Sequence, residues 1–171
     1  MVELHASMVP WDGMVLLSSC DKSIPAHLMA AVRMNIPAIF VPGGSMRPSP
    51  YMKTSFTAGE ISLRQKQNEN ITEQEIMDYK HTGCPSCGAC QFMGTASTMQ
   101  CMAEAMGLAL PGSALAPATM RDIIGFSRDA GRQIMDLIQR DIKPRDIITK
   151  DALYNAIAVH AAIGGSTNAT L

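Results

Sequence analysis

Two groups of side chains in this sequence have types and spacings that could do chemistry. Cys20, Asp21 and Lys22 set a thiol, a carboxylate and an amine side by side. A carboxylate offers hard oxygen ligands that suit Mg²⁺, whereas a thiolate suits soft metals and iron–sulfur clusters. A lysine ammonium repels a cation; its amine helps only when neutral, or once CO₂ has converted it to a carbamate with anionic oxygens. The second group is Cys84-x-x-Cys87-x-x-Cys90, a spacing that favours a soft metal or a cluster. Bacterial ferredoxins carry a further cysteine four positions later, and here that position is Gly94, so their motif is incomplete. A closed zinc site takes four ligands, and His81 or Cys101 would have to complete it. Plainer readings stand beside these. Polar loop residues are common filler, and reduced thiols pack as small hydrophobes.

The surrounding elements decide where these groups sit. Met14 to Ser18 is a short apolar run, read as a strand buried on both faces. Pro25 suits the first turn of a following helix, where its missing N–H is no loss. Leu28, Met29, Val32 and Met34 give that helix an apolar side. Cys20, Asp21 and Lys22 therefore fall in the loop at the C-terminal end of a strand, the edge at which open parallel sheets bind ligands. Asn35-Ile36-Pro37 ends the helix, and Ala38 to Val41 forms a second strand, completing a βαβ unit. The Gly- and Pro-rich loop Pro42 to Pro50 is either an anion cradle or a stiffened connection. Residues 51–71 read as polar and irregular.

Thr72 and Glu75 have capping-box spacing and predict a helix from about Glu73 to Lys80. Another helix is expected from Ala96 to Met106, capped by Thr95 or Ser97 and closed by Gly107. An amphipathic helix follows from Thr119 to Arg140, with Ile123, Phe126, Ala130, Ile134, Leu137 and Ile138 on one side. Pro144 breaks the chain. Thr149 then caps a helix from Lys150 to Ala162, whose expected apolar face holds Leu153, Ile157 and Ala161. Gly164-Gly165 stops it, and Gly164 to Asn168 reads as the start of a further helix. The fold class is α/β, parallel strands with flanking helices.

Composition narrows the function. A chain of 171 residues can bury one core. The net charge is −1 and no Lys/Arg run exceeds a pair, so nothing points to nucleic acid. No apolar stretch reaches membrane-spanning length, and the N-terminus lacks the basic start and apolar core of a secretion signal. Five cysteines, an odd number with three tightly spaced, fit a reducing, cytoplasmic setting and metal binding better than a disulfide framework. The 14 methionines read as adaptable core filler.

Three blocks together carry a resemblance. They are Ser19-Cys20-Asp21-Lys22-x-x-Pro25, Cys87-Gly88-Ala89-Cys90-x-x-Met93-Gly94-Thr95-Ala96-Ser97-Thr98-Met99, and Gly164-Gly165-Ser166-Thr167-Asn168. In order and spacing they resemble the dihydroxy-acid dehydratase family, which also contains phosphogluconate and other sugar-acid dehydratases. The resemblance implies a partial N-terminal dehydratase domain over residues 1–171. It implies dehydration of a 2,3-dihydroxy acid or sugar acid to a 2-oxo acid, with an iron–sulfur cluster ([2Fe–2S] in preference to [4Fe–4S]) and Mg²⁺. By the same resemblance Cys20 and Cys90 match cluster ligands, Asp21 a Mg²⁺ ligand, and Lys22 the carbamylated lysine that also binds Mg²⁺. Cys84 and Cys87 match the surrounding pattern without being ligands. The wording around Gln91 to Gln100 is closer to the sugar-acid enzymes, and Ala26 and Ser18 stand where the family usually has glycine. A third cluster cysteine, the remaining Mg²⁺ ligands and the serine base are expected outside this piece, which is then about a third of a homodimeric enzyme and inactive alone. The competing reading is a small zinc module built on Cys84, Cys87 and Cys90.

Overall fold

The computed structural model describes residues 1–48, 63, 66–67 and 70–170. Most of the stretch read as irregular, and the end of the Gly- and Pro-rich loop, lie outside the described residues. A short helix α1 (Val2–Ala6) precedes strand β1 (Met14–Ser18), helix α2 (Ser23–Met34) and strand β2 (Ala38–Pro42). The strands pair in parallel, Met14 opposite Ala38 through Ser18 opposite Pro42. This is the expected βαβ unit. Asn35 ends α2 in the left-handed conformation, φ 50°, which asparagine tolerates better than most residues.

Helix α3 (Glu73–Thr82) starts at the expected capping box: the Thr72 N–H donates to Glu75 Oε2 at 2.8 Å, and the Glu75 N–H donates to Thr72 Oγ1 at 3.2 Å. Helix α4 (Thr95–Ala105) begins instead at Gly94 with no side-chain cap. Thr95 is drawn away from capping because its hydroxyl bonds Ser166 Oγ at 2.7 Å. Helix α5 (Asp122–Gln139) is the long amphipathic element. Pro144 does more than break the chain. It opens the one-turn helix α6 (Pro144–Ile147), a first-turn position where its ring is pre-shaped for helix. Helix α7 (Lys150–Ala162) is capped by Thr149, whose Oγ1 accepts from the Ala152 N–H at 3.2 Å. At the helix-start signal after Gly165 the chain makes a 3₁₀ turn, Thr167–Thr170.

β2 is the centre of the sheet region. It pairs with β1 on one side, and Phe40 bridges to Ala109 on the other. Alternation then serves two cores. Ala38 and Phe40 join Leu16, Ile24, Leu28, Met99, Ala103 and Ala156. Ile39 and Val41 join Ala130, Ile134 and Leu137 of α5. β1 departs from the two-faced burial expected of it. Leu16 is buried, but Val15 and Leu17 remain exposed, because α5 packs its buried residues over the same face of β2 rather than over β1.

The apolar face expected on α7 is also displaced. Leu153 and Ile157 are exposed, the latter at 61 %, while Ala152 and Ala156 are buried. Ala156 belongs to the core that includes Met99 and Ala103 of α4. Small side chains at that contact let the two helix backbones approach closely, so the alanine stripe wins over the larger residues one position along. No helix among the described residues is long and apolar enough to cross a membrane.

Candidate metal and cluster site

Parallel pairing sends both strand ends to one edge of the sheet, and both chemical loops are found there. Cys20 and Asp21 follow β1 after Ser19, and Lys22 precedes α2. The Cys20 thiol donates to Asp21 Oδ1 at 3.4 Å, and Lys22 Nζ stands 3.5 Å from Asp21 Oδ2. The thiol hydrogen bond, helped by the Lys22 ammonium, holds the Asp21 carboxyl below the usual carboxylate range. Asp21 is thus an anionic hard-oxygen donor at neutral pH. Ser23 ties the loop down: the Cys20 N–H donates to Ser23 Oγ at 3.3 Å, and that hydroxyl donates to the Cys20 carbonyl at 3.1 Å.

Cys90 reaches the same edge by another route. After β2 the chain passes through Gly43, Gly44 and Ser45, and Ser45 bridges in parallel to Ala89, the residue before Cys90. The Ala89 N–H donates to the Gly44 carbonyl and the Met46 N–H to the Ala89 carbonyl, each at 2.8 Å. The Gly43 N–H donates to the Ser18 carbonyl at 3.2 Å. One segment, 43–46, therefore holds the Cys20 loop on one side and the Cys90 loop on the other. Gly44 has to be glycine, because its φ is +77° and a Cβ would lie 2.5 Å from the Ala116 carbonyl oxygen.

These bonds also decide how the Gly-rich loop works. The N–H groups of Gly43, Gly44, Met46 and Arg47 donate to Ser18 O, Gln100 Oε1, Ala89 O and Ser86 Oγ. Those four donors are committed within the chain and do not cradle an anion. Over Gly43 to Arg47 these bonds make the loop a structural connection.

Cys20, Cys84, Cys87 and Cys90 are exposed free thiols. Cys101 is half-buried within α4, where burial, then the Glu104 carboxylate, pushes its thiol pKa up, so it is a poor thiolate donor. Among the described residues no group of three or more His, Cys, Asp and Glu side chains has metal-binding geometry. The trio Cys84, Cys87 and Cys90 thus does not converge, which disfavours the zinc module. Cys90 shares an edge with Cys20 and Asp21 without closing on them as a ligand group.

The donor chemistry nevertheless fits the two groups that the sequence implied. Exposed thiols suit cluster iron, and an anionic carboxylate suits Mg²⁺. A hollow of about 220 Å³ beside Cys90 is lined by Ser45, Phe92, Ser97, Cys101 and Leu115 among others. That is below the roughly 300–1,000 Å³ of a typical ligand pocket, so it does not enclose a substrate by itself.

Two features escaped the sequence reading. Gln100 is buried inside the core face of α4 and accepts from the Gly44 N–H at 3.0 Å. Its signal was a polar residue on the stripe set by Ala96, Met99 and Ala103, where an amide needs a partner. The Gly164 to Asn168 block packs on the start of α4. The Ser166 N–H donates to the buried Thr98 hydroxyl at 3.1 Å, and His160 Nε2 lies 3.0 Å from the Ser166 carbonyl. Nothing local in that block showed where it would dock.

The whole chain, residues 1–171, matches the family described as dihydroxy-acid/6-phosphogluconate dehydratase N-terminal. It is 42 % identical over 173 residues to a dihydroxy-acid dehydratase of Moorella thermoacetica, covering 100 % of this chain and 31 % of that protein. Dihydroxy-acid dehydratases of Pyrococcus furiosus (43 % over 177 residues, 99 % of this chain and 31 % of that protein) and Maridesulfovibrio salexigens (42 % over 173 residues, 99 % and 31 %) are similarly related. The chain thus spans about a third of the length of these relatives.

Proposed function

Since the chain belongs to the dihydroxy-acid/6-phosphogluconate dehydratase N-terminal family, we propose that it forms the cluster- and Mg²⁺-binding part of a hydro-lyase acting on a 2,3-dihydroxy acid or sugar acid. Residues 1–171 form one partial domain in this reading. The overall reaction removes water: a proton leaves C2, hydroxide leaves C3, and the resulting enol tautomerises to the 2-oxo acid. Cys20 and Cys90 hold an iron–sulfur cluster, [2Fe–2S] in preference to [4Fe–4S], and Asp21 with Lys22 holds Mg²⁺. When bound, such a cluster supplies Lewis acidity for departure of the hydroxyl.

This chain's own residues contribute binding and orientation. The Asp21 carboxylate presents anionic oxygen. Lys22 is mostly exposed, so CO₂ can reach its amine. The neutral amine adds to CO₂, an N–C bond forms, and one proton is released, leaving a carbamate whose oxygens bind a hard cation. The 43–46 segment sets the separation of the two thiol loops. The general base and the remaining ligands are assigned to the rest of a longer protein, which acts as a homodimer, and the isolated chain is not expected to turn over.

The single observation that carries the reading is the shared edge: the loops of Cys20 and Cys90, remote in sequence, are tied to adjacent residues, Gly43 and Gly44. It is tested by reconstituting the chain with iron and sulfide and measuring bound iron and visible absorption. Cys20→Ser and Cys90→Ser should each abolish cluster loading, while Cys84→Ser and Cys87→Ser retain it. Stoichiometric zinc without iron, lost on Cys87→Ser and kept on Cys20→Ser, would establish the zinc module instead. Dehydration of a dihydroxy or sugar acid by the isolated chain would overturn the claim that it is inactive.

A further inference from the structure

The geometry points to Gln100 as the positioning residue that sets Cys90 relative to Cys20, an assignment that rests on the shared-cluster reading above. Gln100 is only 1 % exposed, and a buried amide survives in an apolar stripe only where its polar atoms have a use. Its Oε1 accepts the Gly44 N–H at 3.0 Å, and the Gly44 carbonyl accepts the Ala89 N–H at 2.8 Å. Ala89 is bonded directly to Cys90. On the other side, Gly43 donates to the Ser18 carbonyl, at the root of the Cys20 loop. The Gln100 side chain of α4 therefore pins a backbone segment that both thiol loops are bonded to.

Alternative supports do not duplicate this bond. The Ser45 carbonyl accepts the Ala118 N–H at 2.9 Å and the Arg47 N–H donates to Ser86 Oγ at 2.9 Å, but both act beyond Gly44. Without the Gln100 oxygen the Gly44 N–H would be left buried and unpaired. It would regain water by rotating the peptide outward, and the Ala89 bond would move with it.

The test uses the chain with Cys84, Cys87 and Cys101 replaced by serine, so that only Cys20 and Cys90 remain. Cd²⁺ is the probe, and thiolate-to-cadmium absorption in the ultraviolet reports two-thiolate binding. Gln100→Met keeps volume but removes the acceptor. Gln100→Asn withdraws the acceptor by one methylene and serves if the Met variant does not fold. Gln100→Glu keeps an acceptor oxygen at the same reach. Loss of the bond should weaken Cd²⁺ binding by roughly tenfold in the Met and Asn variants, with the Glu variant close to the parent. Met99→Ala, which opens the core but leaves the Gln100–Gly44 bond its acceptor, should leave Cd²⁺ affinity unchanged, and this separates positioning from general destabilisation. Equal affinity across the Gln100 variants, or equal weakening by Met99→Ala, would overturn the inference. If Cys20→Ser or Cys90→Ser leaves two-thiolate absorption intact, the shared site itself fails, which is a distinguishable result.

Discussion

Replacing glycine by alanine at three positions gives opposite signs for reasons visible in the structure. At Gly44 the backbone is left-handed, φ +77°, and an added Cβ would lie 2.5 Å from the Ala116 carbonyl oxygen and 2.6 Å from the Ala118 nitrogen. The conformation costs an L-residue about 1–2 kcal/mol. Pressing a methyl group against backbone atoms, which cannot swing aside as a side-chain tip can, adds about 1–3 kcal/mol. Gly44→Ala should therefore destabilise by about 2–5 kcal/mol, a large share of the 5–15 kcal/mol typical of a domain. Gly125 and Gly131 lie inside α5 with nothing among the described residues within 4 Å of an added Cβ. Alanine there removes the backbone-entropy cost of a helical glycine and should stabilise by about 1 kcal/mol at each site. Equilibrium urea unfolding of the three single variants gives all the values, provided the slopes match the parent. A Gly44→Ala protein as stable as the parent would refute the reasoning, because it would mean that the 43–46 segment is free to move and cannot be what fixes the two thiol loops.

Other outcomes follow from burial. Ile24 is 0 % exposed at the start of α2, so Ile24→Ala should cost about 2–5 kcal/mol in the same assay, and a loss well under 1 kcal/mol would show that the core below the Cys20 loop is loosely packed. Among the described residues His27 Nδ1 is buried without a hydrogen-bond partner, and burial pushes the imidazole pKa below its ordinary 6.5. The unfolded chain then takes up a proton at a higher pH than the folded one, so the stability due to His27 is complete above pH 6.5 and is lost as the pH falls towards the folded value. Unfolding midpoints measured across that range should decline on acidification, and His27→Gln should flatten the decline; an identical slope in the variant would show that His27 is not its source.

Local pattern settled much of this protein in advance. The run Met14 to Ser18, the proline at the start of α2, the cap at Thr149 and the capping box at Thr72 each depend on neighbours within a few residues, and each element formed where those neighbours said. The parallel βαβ arrangement followed too, because a strand, a helix and a strand of these lengths have essentially one way to pack. That placed Cys20, Asp21 and Lys22 at a sheet edge from the sequence alone. Choices between faces were different. Leu153 and Ile157 are more apolar than Ala152 and Ala156, yet close approach to α4 buried the alanines. Thr95 is a good cap, yet Ser166, far along the chain, took its hydroxyl. The tying of the Cys20 and Cys90 loops to one backbone segment was likewise a tertiary outcome. It rests on hydrogen bonds from Gly43 to Ser18, from Ala89 to Gly44 and from Gly44 to Gln100, partners separated by dozens of residues. No local propensity encodes such pairings; they exist only because burying two cores around β2 leaves these backbone groups no water to bond.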